Sequence, residues 1–579
     1  MASDDPVLDA LASSGLLHDA RRTVDGAVEG EVCVEGRTTT LRVTPGRRAG
    51  TKPVVAIPSE TELGRIPHVE TNGTVCYQSD EGLVLDRQRP GAVAAEAARL
   101  ALDVLADGVA GRNHADFVDE WETYWGPLGG PTLALVTPVP ETVSTLAVVE
   151  RSERTRTKRD TLTWVDGYVA RGESDIAAFN NGSPYGERHT TLGALHVPLA
   201  VGAVLVPPTR GALWTPTQAR DAIRAHLAPD ALADLDRQLR KRRPRKTETV
   251  FVSAPRPSGG RTVFGIRFTG VRDGHPLLPE GRASTARPIQ VERWDSSYLV
   301  PRGGGEAGLT DCHVVLAGCG AVGGHLAFEL ARAGVGRLTL VDPQLLRPEN
   351  TFRHALGREF WGVPKAAALA TALRRHAPYL RVEPVVGHLS EALADGRVDL
   401  DAADLVVVAI GAPTVELDLN ERLWASDSAP ATLFAWLEPL GLGGHALLTR
   451  PGHGPGCYEC LHTPPTDRAD PLHNRAAFAA ADQDFSRATG GCGSLHTPYA
   501  SADALRTATL AARLATDALT GHEGGSPIRS WRGDPTAFLA AGFQTTGRAS
   551  CSDADLEALR YAHHAPTCPV CSGTGRPDG

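Results

Sequence analysis

The hydrophobic pattern changes period within the first 110 residues. Short runs rich in β-branched residues and bounded by turn residues, "GEVCVEGRTTTLRVTP" and "KPVVAIPSE", predict strands. In "PGAVAAEAARLALDVLADGV" the apolar positions Val93, Ala97, Leu100, Ala101, Val104 and Leu105 return at helical spacing, which predicts a helix with one apolar face. Strands followed by a helix predict an α+β unit, whose end we place at residue 128. From 129 to 288 the signals are mixed: "TLALVTPV", "STLAVVER" and "VFGIRF" are β-like, "TQARDAIRAHLAPDALADLDRQLRKRR" is helical, and "SAPRPSGGR" breaks both. No chemistry is assigned to this middle region. Its basic cluster, Arg240, Lys241, Arg242, Arg243, Arg245 and Lys246, is either a solvated helix end or a dock for an acidic partner. Beyond 289 the order becomes strand, Gly-rich turn, helix, strand, so the expected fold class is multidomain α/β.

Length and charge narrow the classes. A chain of 579 residues exceeds one ordinary core and predicts several domains. A net charge of -9 supplies no electrostatic footprint for nucleic acid or an anionic membrane. The N-terminus has no basic and apolar leader pattern, and no apolar run reaches the length of a membrane span, so a cytoplasmic protein is expected. Ten cysteines are too few for a disulfide scaffold, which leaves thiol chemistry or metal binding.

The segment "DCHVVLAGCGAVGGHLAFELARAGVGRLTLVDPQLLRPEN" has the order of a nucleotide-binding βαβ unit. Gly318, Gly320 and Gly323 let the backbone turn tightly and approach a phosphate or ribose, and Asp342 at the end of "RLTLVD" is placed to accept ribose hydroxyls. Asn350, Arg353 and Lys365 follow closely. An amide and two cations suit a triphosphate better than a neutral nicotinamide ring.

On these residues, from about 290 to 579, the chain resembles the ThiF/MoeB/HesA family, the Rossmann-like adenylation domain of ubiquitin-activating enzymes. The resemblance implies ATP-dependent adenylation of a protein's C-terminal carboxylate, with Asp342 on the ribose and Arg353 and Lys365 on the phosphates. It also implies a homodimer through this domain, in which an arginine near its start, Arg302 or Arg293, reaches the partner's nucleotide. The family holds Mg²⁺ with an Asp where this sequence has Gly411, so a nearby carboxylate, Glu416 or Asp418, is expected to substitute.

Two Cys-x-x-Cys pairs, Cys457 with Cys460 and Cys568 with Cys571, have the spacing of a four-thiolate Zn²⁺ site, and the family resembled uses such pairs in this way. Between them Cys492 sits in a Gly-flanked loop before a helical pattern, where a helix N-terminus favours the thiolate. Relatives supply their thioester-forming cysteine from this region, which makes Cys492 the candidate nucleophile.

A second thiol lies in "IPHVETNGTVCY". Ubiquitin-conjugating enzymes place a His-Pro-Asn element, a Gly turn and a short strand before the catalytic cysteine. Here Pro67, Gly73 and Cys76 keep that spacing, and residues 1 to 128 resemble a conjugating-enzyme domain of a divergent bacterial kind. His68 stands in place of the Asn. Its imidazole is expected to stabilise the oxyanion of the attacked thioester and also to accept the lysine proton.

Together these readings are similar to the fused conjugating and activating enzymes of bacterial antiviral operons. Such an enzyme activates a protein ending in glycine or alanine, either a ubiquitin-like protein or a nucleotidyltransferase, and transfers it through Cys492 and Cys76 to a target amine. The alternative is a sulfur-carrier adenylyltransferase of cofactor biosynthesis, which has no use for the Cys76 domain.

Overall fold

The computed structural model describes residues 5–46, 51–58, 63–150, 165–180, 190–377, 379–464, 474–488 and 495–572. Cys492 lies outside them. The chain divides into two units: one holds residues 1–177 and 186–295, the other holds 178–185 and 296–579.

The first unit begins with an antiparallel meander of β1 (His18–Arg22), β2 (Val28–Val34), β3 (Arg37–Thr44) and β4 (Val54–Ala56). Along β2 every second residue is buried, so one face is left for helices. Two helices, α1 (Pro6–Ser13) and α2 (Pro90–Val109), share a core with Val28, Val32, Leu41, Val43 and Val55. The helix predicted over 90–109 forms, but its buried seam is Gly91, Ala94, Ala97, Ala98, Ala101 and Leu105. Val93, Leu100 and Val104 are only half-buried. Small residues form the seam because α2 packs closely: a Cβ on Gly91 would meet the Pro6 carbonyl oxygen at 2.2 Å.

The mixed middle region resolves into a closed barrel of seven strands. They are β5 (Thr132–Leu135), β6 (Ser144–Glu150), β7 (Gly167–Ala170), β8 (Thr190–Pro198), β9 (Thr247–Pro255), β10 (Arg261–Thr269) and β11 (Thr285–Arg293). Their order is β10-β11-β5-β7-β6-β8-β9, with β9 returning to β10. Closure removes the edges that would otherwise template further pairing. The long helical run becomes two helices, α5 (Pro216–Arg224) and α6 (Pro229–Lys241), divided where Pro229 takes the first helical position. They bury Ala219, Ile223, Leu235 and Leu239 in the core outside the barrel. The basic cluster starts at the C-terminal end of α6, where cations complement the helix dipole.

Two short helices, α3 (Asp116–Asp119) and α4 (Trp121–Trp125), join the meander to the barrel. Trp121 and Trp125 each pack against Phe264 of β10, with ring centroids 4.7 and 4.8 Å away. The Trp125 indole N–H donates to the Ile289 carbonyl of β11 at 3.1 Å. Polar ties flank the aromatic contact: Arg256 meets Glu122 at 2.6 Å, and the Ser258 hydroxyl donates to Asp119 at 2.5 Å.

In the second unit a seven-stranded sheet contains β12 (His313–Ala317), β13 (Arg337–Asp342), β14 (Arg381–Val386), β15 (Leu405–Val408), β16 (Ala431–Leu437), β17 (Gly443–Thr449) and β18 (Ile528–Arg532). Their order is β14-β13-β12-β15-β16-β17-β18, parallel from β14 to β16 and antiparallel for the last two strands. The central strands are buried along their whole length, as parallel strands covered on both faces must be. Helices α7 (Ala321–Ala333), α8 (Lys365–His376) and α10 (Ser501–Leu519) cover one face, and α9 (Pro413–Ala425) covers the other. The chain leaves β12 for β13 on one side and reaches β15 on the other, so a crevice opens at the C-terminal end of β12.

Candidate active sites

The predicted glycine turn occupies that crevice. Gly318 has φ +93, and a Cβ there would lie 2.4 Å from the Ala409 carbonyl oxygen beyond β15. A Cβ on Gly323 would meet the Gly318 oxygen at 1.8 Å, so α7 can approach the turn only without a side chain. Around Gly320, the residue before α7, a Cβ would meet nothing, and that side of the turn is open.

Asp342 closes the turn from β13. Its carboxylate accepts the Cys319 N–H at 2.8 Å and the Gln344 N–H at 2.7 Å, which fixes it beside the glycine loop. Lys365 begins α8 and is buried; its ammonium donates to Gln344 Oε1 at 2.6 Å. Burial lowers its pKa, while the nearby Asp342 carboxylate opposes that shift. Asn350 uses its side-chain oxygen to accept the Arg347 N–H at 3.1 Å, capping a turn of 3₁₀ helix that ends at Arg353. The Arg353 guanidinium lies 5.3 Å from the centre of the Tyr499 ring, held as a cation over an aromatic face.

Two residues at this site were not singled out from sequence. His354 takes the Leu356 N–H on Nδ1 and donates from Nε2 to the Cys319 carbonyl at 2.7 Å, bracing the glycine turn from behind. Gln344 links Asp342 to Lys365. A single polar residue next to a recognised motif carries no periodic signal.

The two arginines proposed to act across a dimer differ. Arg293 is buried in the first unit, where it forms a two-pronged pair with Asp295 and donates to the Arg261 carbonyl. It is therefore committed to the barrel. Arg302 ends a short helix with an exposed side chain, 5.2 Å from the Tyr298 ring centre.

The carboxylates expected to hold magnesium are also engaged. Glu416 is buried, accepts the Gly411 N–H at 2.9 Å and accepts the Tyr458 hydroxyl at 2.8 Å. Asp418 pairs with Arg422 at 3.0 Å on the outer face of α9. Neither fits as a magnesium ligand, and no step below passes through that ion.

The two cysteine pairs come together. The sulfurs of Cys457, Cys460, Cys568 and Cys571 all lie within 4.8 Å of one another. Individual separations are 3.9 Å for Cys457–Cys460, 3.5 Å for Cys457–Cys568 and 3.3 Å for Cys460–Cys571. A tetrahedron with Zn–S bonds of about 2.3 Å has edges of about 3.8 Å, so four thiolates at these positions fit the ion closely.

In the first unit the Cys76 hairpin is built as follows. Gly73 has φ +88, and a Cβ there would come within 1.9 Å of the Ile57 carbonyl oxygen, so the turn requires glycine. The chain then runs back antiparallel through a Val69–Val75 bridge, and the Cys76 N–H donates to the His68 carbonyl at 2.7 Å. The Cys76 thiol is exposed at the end of this ladder. Partial burial and the Glu120 carboxylate raise its pKa. Just beyond it, Lys52, Tyr77, Gln78, Leu85, Val93 and Leu100 help to line a cavity of about 300 Å³.

His68 has φ +62, outside the usual range for a side chain of its kind, and is held there by four contacts. Its N–H donates to the Tyr124 hydroxyl at 2.7 Å, and its carbonyl receives Cys76. Nδ1 meets Glu120 Oε1 at 2.8 Å and Nε2 meets Asp116 Oδ2 at 3.0 Å. Glu120, helped by Asp116 and opposed by burial, holds the imidazole pKa up at about 9. Both ring nitrogens therefore carry protons bonded to carboxylates, so this arrangement has no lone pair to accept a proton from lysine. That corrects the general-base expectation for His68. Asp116, Glu120 and Tyr124 were missed as site residues, although they recur every four residues opposite Val118, Trp121 and Trp125.

Residues 299–573 match the ThiF family, and residues 10–128 match the prokaryotic E2 family B. Uncharacterized protein y4oA of Sinorhizobium fredii is 35% identical over 181 residues, covering 29% of this chain and 30% of that protein. The ATP-dependent ubiquitin transferase-like protein Cap2 of Pseudomonas aeruginosa is 24% identical over 495 residues, covering 81% of this chain and 82% of that protein. The crystal structure of E. coli MccB with ATP is 16% identical, covers 48% of this chain and 69% of that chain, and superposes with a TM-score of 0.31. Among the described residues no helix is long and apolar enough to cross a membrane.

Proposed function

Because the chain joins a ThiF domain to a prokaryotic E2 family B domain, we propose that it activates the C-terminus of a protein with ATP and conjugates it to an amine through two cysteines. The carboxylate oxygen of the partner attacks the α-phosphorus of ATP and pyrophosphate leaves. Asp342 takes the ribose hydroxyls, and Arg353 and Lys365 hold the phosphates, with Lys365 exchanging Gln344 for a phosphate oxygen. The Cys492 thiolate displaces AMP to form a thioester. The Cys76 thiol then takes the acyl group by thioester exchange and the Cys492 thiol is released. Finally the target amine attacks the Cys76 thioester, an amide forms and the thiol leaves.

The single observation that carries this reading is one chain holding both a glycine turn closed by Asp342 and Lys365 and an exposed thiol on a tight hairpin beside His68. The cavity beyond Cys76 receives the end of the acyl partner. At the amine step Glu120 and Asp116, the two carboxylates that hold the His68 ring, are the groups present to take the proton from the amine. Zn²⁺ in the four-thiolate cluster supplies structure, tying residues 457–460 to 568–571.

The activated protein ends in glycine or alanine and is a ubiquitin-like protein or a nucleotidyltransferase. The setting is bacterial antiviral defence, and the active form is a homodimer through the ThiF domain with Arg302 as the crossing arginine. Purified protein, ATP and the product of a neighbouring gene test the reading: labelled pyrophosphate enters ATP, and a thiol-sensitive adduct appears on a non-reducing gel. Absence of exchange with every neighbouring gene product overturns it.

A further inference from the structure

The geometry points to a relay in which Tyr458 and Glu416 couple the cysteine cluster to the nucleotide loop, so that metal and ATP strengthen each other's binding. The inference rests on the nucleotide and zinc readings above. It starts from Gly411, which follows β15 with φ +72 and stands where the family resembled carries its magnesium-binding Asp. The backbone just before Gly411 forms one wall of the glycine turn, since a Cβ on Gly318 would lie 2.4 Å from the Ala409 oxygen and 2.8 Å from the Ile410 nitrogen. A shift of this loop therefore moves a wall of the crevice.

The loop is fastened from behind by Glu416, whose Oε1 takes the Gly411 N–H at 2.9 Å. The other oxygen of Glu416 takes the Tyr458 hydroxyl at 2.8 Å. One turn further along α9, buried Asn420 accepts the Tyr458 backbone N–H at 3.0 Å. Tyr458 is the neighbour of Cys457 and lies inside the first cysteine pair. Its ring is stacked on Phe434 at 4.5 Å between centroids and is fully buried. Four thiolates gathered around one ion fix Cys457 and Cys460, and with them Tyr458. Without the ion the four sulfurs revert to separate protonated thiols with no common centre, and the segment that presents the tyrosine hydroxyl loses that anchor.

Glu416 is buried, so losing the hydroxyl leaves a carboxylate oxygen desolvated and unbonded, a situation the loop relieves by moving. Glu416 and Tyr458 are thus positioning residues that touch neither nucleotide nor metal. Coupling between two sites is reciprocal at equilibrium: the factor by which zinc tightens ATP must equal the factor by which ATP tightens zinc.

The test uses the full chain. Tyr458→Phe keeps the stacked ring and removes only the hydroxyl. It is expected to retain about one zinc per chain, weaken ATP binding by calorimetry about fivefold, the scale of one hydrogen bond, and quicken amide exchange in peptides covering 409–416. In the wild type, ATP should raise zinc affinity, measured by competition with a chelator, by the factor with which zinc raises ATP affinity. ATP affinity and exchange both unchanged in a zinc-loaded Tyr458→Phe protein would overturn the relay. If that variant fails to fold, the wild-type competition decides alone, and zinc affinity indifferent to ATP overturns it. A wild type that binds zinc but no ATP removes the nucleotide reading itself.

Discussion

The His68 ring and the Glu120 carboxylate meet at 2.8 Å across 52 residues of sequence, and the same carboxylate reaches the Tyr124 hydroxyl at 2.5 Å with its other oxygen. One acid thus holds both the His68 ring and the tyrosine that receives the His68 N–H. The folded imidazole pKa of about 9 stands above the ordinary 6.5. Since the folded value is the higher one, this contact contributes its full stability below about pH 6.5 and loses it as pH rises through 9. We expect the thermal midpoint of the wild type to exceed that of His68→Ala most at pH 6 and to converge on it by pH 10. A gap independent of pH would show the ring to be neutral.

Asp342→Ala and Lys365→Ala each remove a group at the closed end of the glycine turn. Both are expected to lower pyrophosphate exchange by about 100-fold or more, in line with the loss of a preorganised charge from a reacting site. Exchange within about threefold of wild type in both variants would mean that the nucleotide sits elsewhere.

The two cysteines are expected to fail at different steps. Cys492→Ala retains pyrophosphate exchange and forms no thioester, whereas Cys76→Ala accumulates a thiol-sensitive adduct at Cys492 and yields no amide. Non-reducing gels with and without added thiol separate the two. Conjugation by Cys76→Ala at the wild-type rate would return Cys76 to the role of a strand-end thiol.

Metal analysis of the purified chain should find about one zinc per chain, the content of one four-thiolate site. Cys568→Ser should lose most of it and melt at lower temperature. A metal-free chain with an unchanged midpoint would assign the cluster another role.

Local signals made much of this legible. The turn around Gly318, the acid at Asp342 and both cysteine pairs depend on spacings within a few tens of residues, and each formed a joined site. The barrel was not legible, because β5 pairs with β11, 158 residues away, and no local pattern announces that partner. The carboxylates around His68 were hidden for a related reason. Asp116 and Glu120 look like the solvated side of a short helix until the fold sets a histidine beside them. Glu416, in contrast, was chosen from its proximity to Gly411, and the structure turns it inward to a tyrosine that sequence distance could not suggest.

The aromatic seat of α4 on the barrel also sets a clock for synthesis. Trp125 and the carbonyl it bonds are 164 residues apart. At roughly 5–20 residues per second, a ribosome needs about 8–33 s to make that interval. For most of it Trp121 and Trp125 lack Phe264 and Ile289 to cover them, and the two short helices on either side of Glu120 have no floor. The segment of Trp121 and Trp125 therefore reaches its native packing only after β10 and β11 are made, whereas the core around α1, α2 and the meander draws on no barrel residue and can form earlier.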